Sequence, residues 1–273
     1  MRHTPSAPLT VCRPTALITG ASAGIGAELA RCHARAGHDL ILVARRTDAL
    51  QALASELQAQ HGIHARVHGT DLARSDAANN LHADLQRRGL NVDVLVNCAG
   101  VLHQGAFAAM DAAQHQSIID LNIRALTSML SHFIPDMVAR GRGRVLNVAS
   151  VAAFQPVPTL ATYAASKAYV LSLSESLAEE LKGTGVTVTA LCPGITATAM
   201  MEKATQANAK LQRIPGFLVG DVAEVARAAF EATQRGDAIV VPGAINQGAM
   251  IASRATPKWL VRLVGGAIGR RTL

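Results

Sequence analysis

Aromatic side chains are scarce in this chain, at 3% of 273 residues, with one Trp and two Tyr. So few stacking platforms argue against a nucleic-acid binder, although the formal net charge is +7. The excess reads as scattered arginine with one anionic cofactor to hold, not as a nucleic-acid partner. Cysteine is equally sparse. Cys12, Cys32, Cys98 and Cys192 lie far apart with no C-x-x-C pair, so neither a metal site nor a disulfide framework is expected. Free thiols fit a reducing, cytoplasmic setting. No apolar run approaches the roughly 18 residues of a spanning helix. Residues 1–13 carry Pro5 and Pro8 and lack the apolar stretch of a secretory signal, so they read as a loose tail. Charged residues make up only 16% of the chain and hydrophobic ones 49%, which excludes a disordered chain.

Short apolar runs alternate with helical patterns throughout. The runs are Thr15–Thr19, Asp39–Val43, a weaker Ile63–Val67, Val92–Val96, Arg144–Val148, Val186–Leu191 and Ala238–Val241. Strands separated by helices imply an α/β fold of the doubly wound, Rossmann type: a parallel sheet of seven strands with helices on both faces. Both faces are then covered, which explains continuous rather than alternating apolar strands. Between the runs, Thr47–Gln60 reads as a helix with Thr47 as a candidate N-cap. Ala161–Lys182 reads as a long helix, and so does Ala113–Arg140, bent or shortened at Pro135. Ile118, Leu121, Ala125 and Met129 form a stripe on the latter that suits either the core or a subunit interface. No linker divides residues 14–245, which read as one domain. Residues 246–273 form a basic extension without any acid, with Arg254, Lys258, Arg262, Arg270 and Arg271 around Trp259. It suits packing on this subunit or a partner, or weak peripheral contact with a membrane surface.

The first strand runs into Thr19-Gly20-Ala21-Ser22-Ala23-Gly24-Ile25-Gly26. A strand, a glycine turn and a helix start make an anion site. Glycine lets the main chain approach a pyrophosphate, and the helix N-terminus presents unpaired N–H groups. Gly26 would let the helix pack closely on the sheet. The second strand ends in Val43-Ala44-Arg45-Arg46. No acid stands there to accept from a ribose 2′-hydroxyl, and two guanidiniums can pair with a 2′-phosphate. The expected cofactor is therefore NADP(H). Asp71-Leu72, after the third strand, would meet the adenine. Asn97-Cys98-Ala99-Gly100, after the fourth, would let the adenosine ribose pass, with Asn97 bracing neighbouring strands.

Tyr163 and Lys167 stand at i and i+4, one above the other on a helix face. A free Tyr titrates near pH 10, and a fixed ammonium lowers that value by stabilising the phenolate. Tyr163 would then exchange a proton with a carbonyl or alcohol oxygen. Ser150 follows the fifth strand at its C-terminal end, where open α/β sheets bind ligands, and its hydroxyl can hold the substrate oxygen. Asn122 lies inside a helix that it disfavours, which suggests that its carbonyl anchors a water behind Lys167. Pro193-Gly194-Ile195-Thr196-Ala197-Thr198 leaves the sixth strand, where the Ile195 main chain would meet the carboxamide and Thr198 the amide or phosphate.

Taken together, these motifs resemble the short-chain dehydrogenase/reductase family over about residues 13–245. The resemblance implies strand order 3-2-1-4-5-6-7 and homodimers or homotetramers. It also implies an Asn122–Ser150–Tyr163–Lys167 tetrad in which Lys167 binds the nicotinamide ribose as well. Ala125 stands where many members have Gly, and Thr196 where an aliphatic residue is usual; neither touches the tetrad. The expected activity is NADPH-dependent reduction of a hydrophobic ketone or aldehyde, reversible as alcohol oxidation. A 3-oxoacyl thioester reductase, a hydroxysteroid dehydrogenase and an NADPH-sensing binding protein are the rivals. The substrate loop is expected at about 195–215, with Met200, Met201, Leu211, Ile214 and Phe217, and Phe154 and Val157 form the facing wall.

Overall fold

Short apolar runs punctuated by helices bury their surface by pairing into a sheet covered on both sides. The computed structural model describes residues 13–196 and 219–256 and has this arrangement. Its strands are β1 (Thr15–Thr19), β2 (Asp39–Ala44), β3 (Ala65–Gly69), β4 (Val94–Asn97), β5 (Gly143–Val148), β6 (Val186–Leu191) and β7 (Ile239–Val240). They form one sheet in the order β3-β2-β1-β4-β5-β6-β7. Every neighbouring pair is parallel. The helices are α1 (Gly24–Arg35), α2 (Thr47–His61), α3 (Ala77–Arg87), α4 (Ala112–Ile118), α5 (Leu126–Ala139), α6 (Ala161–Glu180), α7 (Val222–Arg235) and α8 (Ala244–Ala255).

Alternate strand residues serve opposite layers. Ala16, Ile18, Leu40 and Leu42 pack with Leu29, Leu50 and Leu57 from α1 and α2. Leu17, Ile41, Val43 and Leu95 pack with Leu81, Met129 and Val170 from α3, α5 and α6. The chain reverses its direction of travel across the sheet between β1 and β4. The carboxyl ends of these strands therefore flank the crevice where such sheets bind ligands.

Three local readings need correction. β3 and β4 start later than the apolar runs suggest. The Asp39 carboxylate accepts the N–H of His64, and the Asp93 carboxylate accepts that of Thr15, so side chains hold the segments just before pairing begins. Thr47 is the first residue of α2 rather than its cap; Arg46 stands at the N-cap. The long helix over 112–139 continues through Pro135 and is instead interrupted by a π-helical stretch at Ile119–Ala125. Phe133 and Met137, on either side of the proline, are buried in the core and keep that turn in register. Ile118, Ala125 and Met129 are buried and Leu121 packs against them, so the stripe faces the core.

Thr198, Met200, Met201, Leu211, Ile214 and Phe217 lie outside the described residues, as do the residues before 13 and after 256. No described helix is long and apolar enough to cross a membrane.

Candidate active site

The glycine turn is built by close main-chain approach. Gly20 has φ +68°, in the left-handed region, and a Cβ there would stand 3.0 Å from the main chain of Ala99. A Cβ on Gly26 would meet the Gly20 carbonyl oxygen at 2.4 Å, so the first turn of α1 fits only against glycine. No side chain caps α1 and no acid stands in its first turn. Its N-terminal partial positive charge is therefore uncompensated locally. The Thr19 hydroxyl accepts the N–H groups of Cys98 and Ala99, both at 3.0 Å, and donates to Val96. This pins the end of β4 beside the turn.

Arg46 lies across the same turn and donates to the Ser22 carbonyl at 3.2 Å and to its hydroxyl at 3.1 Å. Arg45 is exposed beside it. Asp71 uses one carboxylate oxygen to accept the N–H of Ala73, while the Leu72 side chain is buried in the core. Of these, Ser22, Arg45 and Arg46, with Gly20, Ala23, Gly24 and Ile25, suit a nucleotide phosphate, while Asp71 suits the adenine end. Main-chain N–H groups, a helix N-terminus and a guanidinium converge, and a side chain would fill the space that the glycines leave.

Side chains, by contrast, build the neighbouring region. Asn97 donates to Asn147 at 2.9 Å, and Asn147 donates to Ser174 at 2.9 Å, which ties β4 through β5 to α6. Asn97 thus braces strands as its position suggested. Asn122 is buried in the π-helical stretch, where it accepts the N–H of Val101 at 2.9 Å. It donates to the Val101 carbonyl at 3.0 Å and to Ser166 at 3.1 Å. Ser166 in turn donates to the Tyr163 carbonyl at 2.7 Å. A Cβ on Gly100 would lie 3.3 Å from Asn122 Oδ1 and 3.6 Å from Lys167 Nζ, so glycine there lets both side chains close in.

Ser150 caps the short turn Val151–Phe154 by accepting the Ala152 N–H. Its hydroxyl also lies close enough to the Tyr163 phenol to pull the phenol pKa down, against a larger upward push from burial. The net shift is upward. Lys167 is buried, donates to the Val148 carbonyl at 2.7 Å and stands 5.7 Å from the centre of the Tyr163 ring. Burial lowers the lysine to about 8. The net upward shift of Tyr163 is opposite to the lowering expected beside Lys167, because burial outweighs what stabilises the phenolate.

Pro193 accepts the N–H of Val151 through its carbonyl, and the Ile195 carbonyl accepts that of Gly220. Gly194 lies against Asn246 of α8, where a Cβ would meet the amide at 2.5 Å. Phe154 is partly buried against the core. Asn147, Ser166 and Ser174 were not singled out from the sequence. An asparagine in the apolar run of β5 was the available signal, since strands disfavour it.

The family described as short chain dehydrogenase matches residues 14–209. This chain belongs to the short-chain dehydrogenase/reductase family. It is 37% identical over 195 residues to a glycine betaine reductase of Emericella nidulans, covering 71% of this chain but only 15% of that protein. A short-chain dehydrogenase from Sphingobium yanoikuyae, solved in complex with NADPH, superposes with a TM-score of 0.79 at 34% identity, covering 88% of this chain and 93% of that one. A bulky-bulky ketone specific alcohol dehydrogenase from Comamonas testosteroni gives 0.75 at 31% identity, covering 88% and 92%. As a short-chain dehydrogenase, the protein places Tyr163, Lys167, Ser150 and Asn122 together beside the glycine turn.

Proposed function

We propose that this protein is an NADP(H)-dependent oxidoreductase acting on the carbonyl, or the secondary alcohol, of a hydrophobic ketone or aldehyde. The observation that carries this reading is Tyr163 beside Ser150 with buried Lys167 5.7 Å from its ring centre, at the carboxyl edge of the sheet next to the glycine turn. The dinucleotide would be held by Gly20 to Gly26, by Arg46 with Arg45, and by Asp71 and Leu72. Asn97, Ala99 and Gly100, then Tyr163 and Lys167, then Pro193, Gly194, Ile195 and Thr198 complete the set. When bound, it supplies or accepts hydride at the substrate carbon.

The chain's own residues handle the oxygen. A phenol raised by burial keeps its proton at neutral pH, and in reduction Tyr163 donates that proton to the substrate oxygen. Ser150 holds the same oxygen by a second hydrogen bond. In oxidation Tyr163 takes the proton back. Lys167 beneath the ring steadies the phenolate and binds the nicotinamide ribose, and Asn122 fixes the floor through Val101 and Ser166. Phe154 and Met200 would contact an apolar substrate. Arg46 across Ser22, with no acid at the end of β2, supports the phosphorylated dinucleotide. The NADPH complex of the Sphingobium relative and the ketone substrate of the Comamonas one agree with this. A cytoplasmic homodimer or homotetramer, with at most weak membrane contact through the basic C-terminal segment, completes the reading.

The test is a panel of ketones, aldehydes, 3-oxoacyl thioesters and steroids scored by NADPH and NADH consumption. Hydrophobic ketones or aldehydes should be reduced with NADPH preferred. Consumption only with thioesters or only with steroids would reassign the substrate. Tight NADPH binding with no consumption would make the protein a sensor.

A further inference from the structure

The segments before α4 and before α6 are tied together by contacts that the chemistry above does not use. Residues 101–110 lead from β4 to α4, and residues 155–160 lead into α6, whose first turn carries Tyr163. The Gly105 N–H donates to the Thr159 carbonyl at 3.0 Å. Thr159 has φ +68° and is the only non-glycine with positive φ among the described residues. A β-branched residue adopts that conformation only where its surroundings impose it. A few residues away, His115 of α4 bridges both sides. Its Nδ1 lies 2.7 Å from the Thr162 hydroxyl and its Nε2 lies 3.3 Å from the Phe107 carbonyl. The Phe107 ring lies against the imidazole, tilted at 36° with centroids 4.3 Å apart, although Phe107 is 65% exposed.

The tautomer follows from the partners. A carbonyl oxygen only accepts, so the Nε2–H points to Phe107. Nδ1 then accepts the hydroxyl proton of Thr162, the residue just before Tyr163. The imidazole therefore ties a partly exposed aromatic wall to the helix turn that presents the phenol.

We propose that His115 is a positioning residue for substrate specificity: with Thr162 and Thr159 it clasps the 101–110 wall against the first turn of α6 and so sets the width of the opening above Tyr163. This rests on the oxidoreductase reading of that site.

The experiment compares His115→Phe, Thr162→Val and His115→Asn with the wild-type protein. His115→Phe keeps the ring and removes both hydrogen bonds. His115→Asn keeps an acceptor for Thr162. Two readouts are taken: hydrogen exchange of the Gly105 amide without substrate, and kcat and KM with NADPH for a small and a bulky ketone. In His115→Phe and Thr162→Val the Gly105 amide should exchange faster. The kcat/KM ratio between the two ketones should shrink about tenfold, mainly through KM. His115→Asn should restore most of both. Unchanged Gly105 exchange would overturn the clasp. Faster exchange with an unchanged ratio, or with equal losses on both ketones, would overturn its role in specificity. If the wild-type protein reduces no ketone, the oxidoreductase reading fails and the specificity role fails with it, while the exchange readout still decides whether the clasp exists.

Discussion

The two halves of the binding edge are made of different material. Beside β1 and β2, main chain does the holding: Gly20 and Gly26 allow approaches that a Cβ would block, and one guanidinium, Arg46, closes over Ser22. Beside β4, β5 and α6, buried side chains do it. Asn97, Asn122, Asn147, Ser166, Lys167 and Ser174 are all out of solvent. Buried polar groups must be paired, and the asparagine and serine amides and hydroxyls here are paired with one another or with main chain. A dinucleotide offers phosphates that backbone N–H groups can meet without specificity of side chain. A proton transfer needs one phenol at one place, which takes a rigid polar scaffold. The first half should therefore fail through lost affinity, and the second through lost stability or lost chemistry.

That contrast can be broken at several points. The largest effect is expected from Gly26→Ala, which puts a methyl into the space against the Gly20 carbonyl. Overpacking of about 1–3 kcal/mol should weaken NADPH binding by one to two decades and lower the melting temperature; fluorescence titration of NADPH reads the first. Next, Arg46→Ala removes a charge-assisted contact, and the NADPH-over-NADH preference should drop roughly 10–150-fold. Arg45→Ala should do less, since Arg46 is the residue bonded across the turn. In the other half, Asn147→Leu leaves the buried Asn97 amide without its acceptor, while Ser174 keeps its bond to Val170. Urea unfolding should show a loss of about 1–3 kcal/mol, while NADPH affinity in the folded protein holds.

The remaining expected effects are in the pH dependence of stability. Burial lowers His33 of α1 to about 3. Its unfolded form binds a proton near its ordinary 6.5, so stability falls as pH drops from about 6.5 towards 3. His33→Leu should flatten that slope. Lys167 is lowered to about 8 from 10.5, so its unfolded form binds the proton first and stability rises with pH across that window. Cys98 is raised from 9.0 to about 11 and acts in the opposite sense. Each charge acts on the other group, so the difference between wild-type protein and Lys167→Met reads the lysine together with its effect on Cys98.

The same contrast explains what the sequence revealed. The glycine turn, the basic end of β2 and the Tyr163–Lys167 pair are local patterns, and local spacing is what a chain displays openly. The strands were legible because both faces are apolar. Asn147, Ser166, Ser174 and His115 were not, since each is defined by a partner far along the chain, such as Asn97 for Asn147 or Thr162 for His115. Pro135 drew attention as the helix breaker, but the interruption came at Ile119–Ala125, where Asn122 reaches out of the helix to Val101. The direction of the Tyr163 shift was hidden for a similar reason: spacing places the ammonium below the ring, but only the fold shows that the phenol is buried.

The measurement that bears most directly on the account is NADPH oxidation by Tyr163→Phe with the best ketone of the panel, at a concentration where NADPH binding is saturated. Loss of the phenol proton should lower kcat by about 10²–10⁴-fold while the NADPH dissociation constant rises by no more than about tenfold, the loss of one hydrogen bond. A kcat equal to that of the wild-type protein would show that the proton comes from elsewhere and would contradict the account.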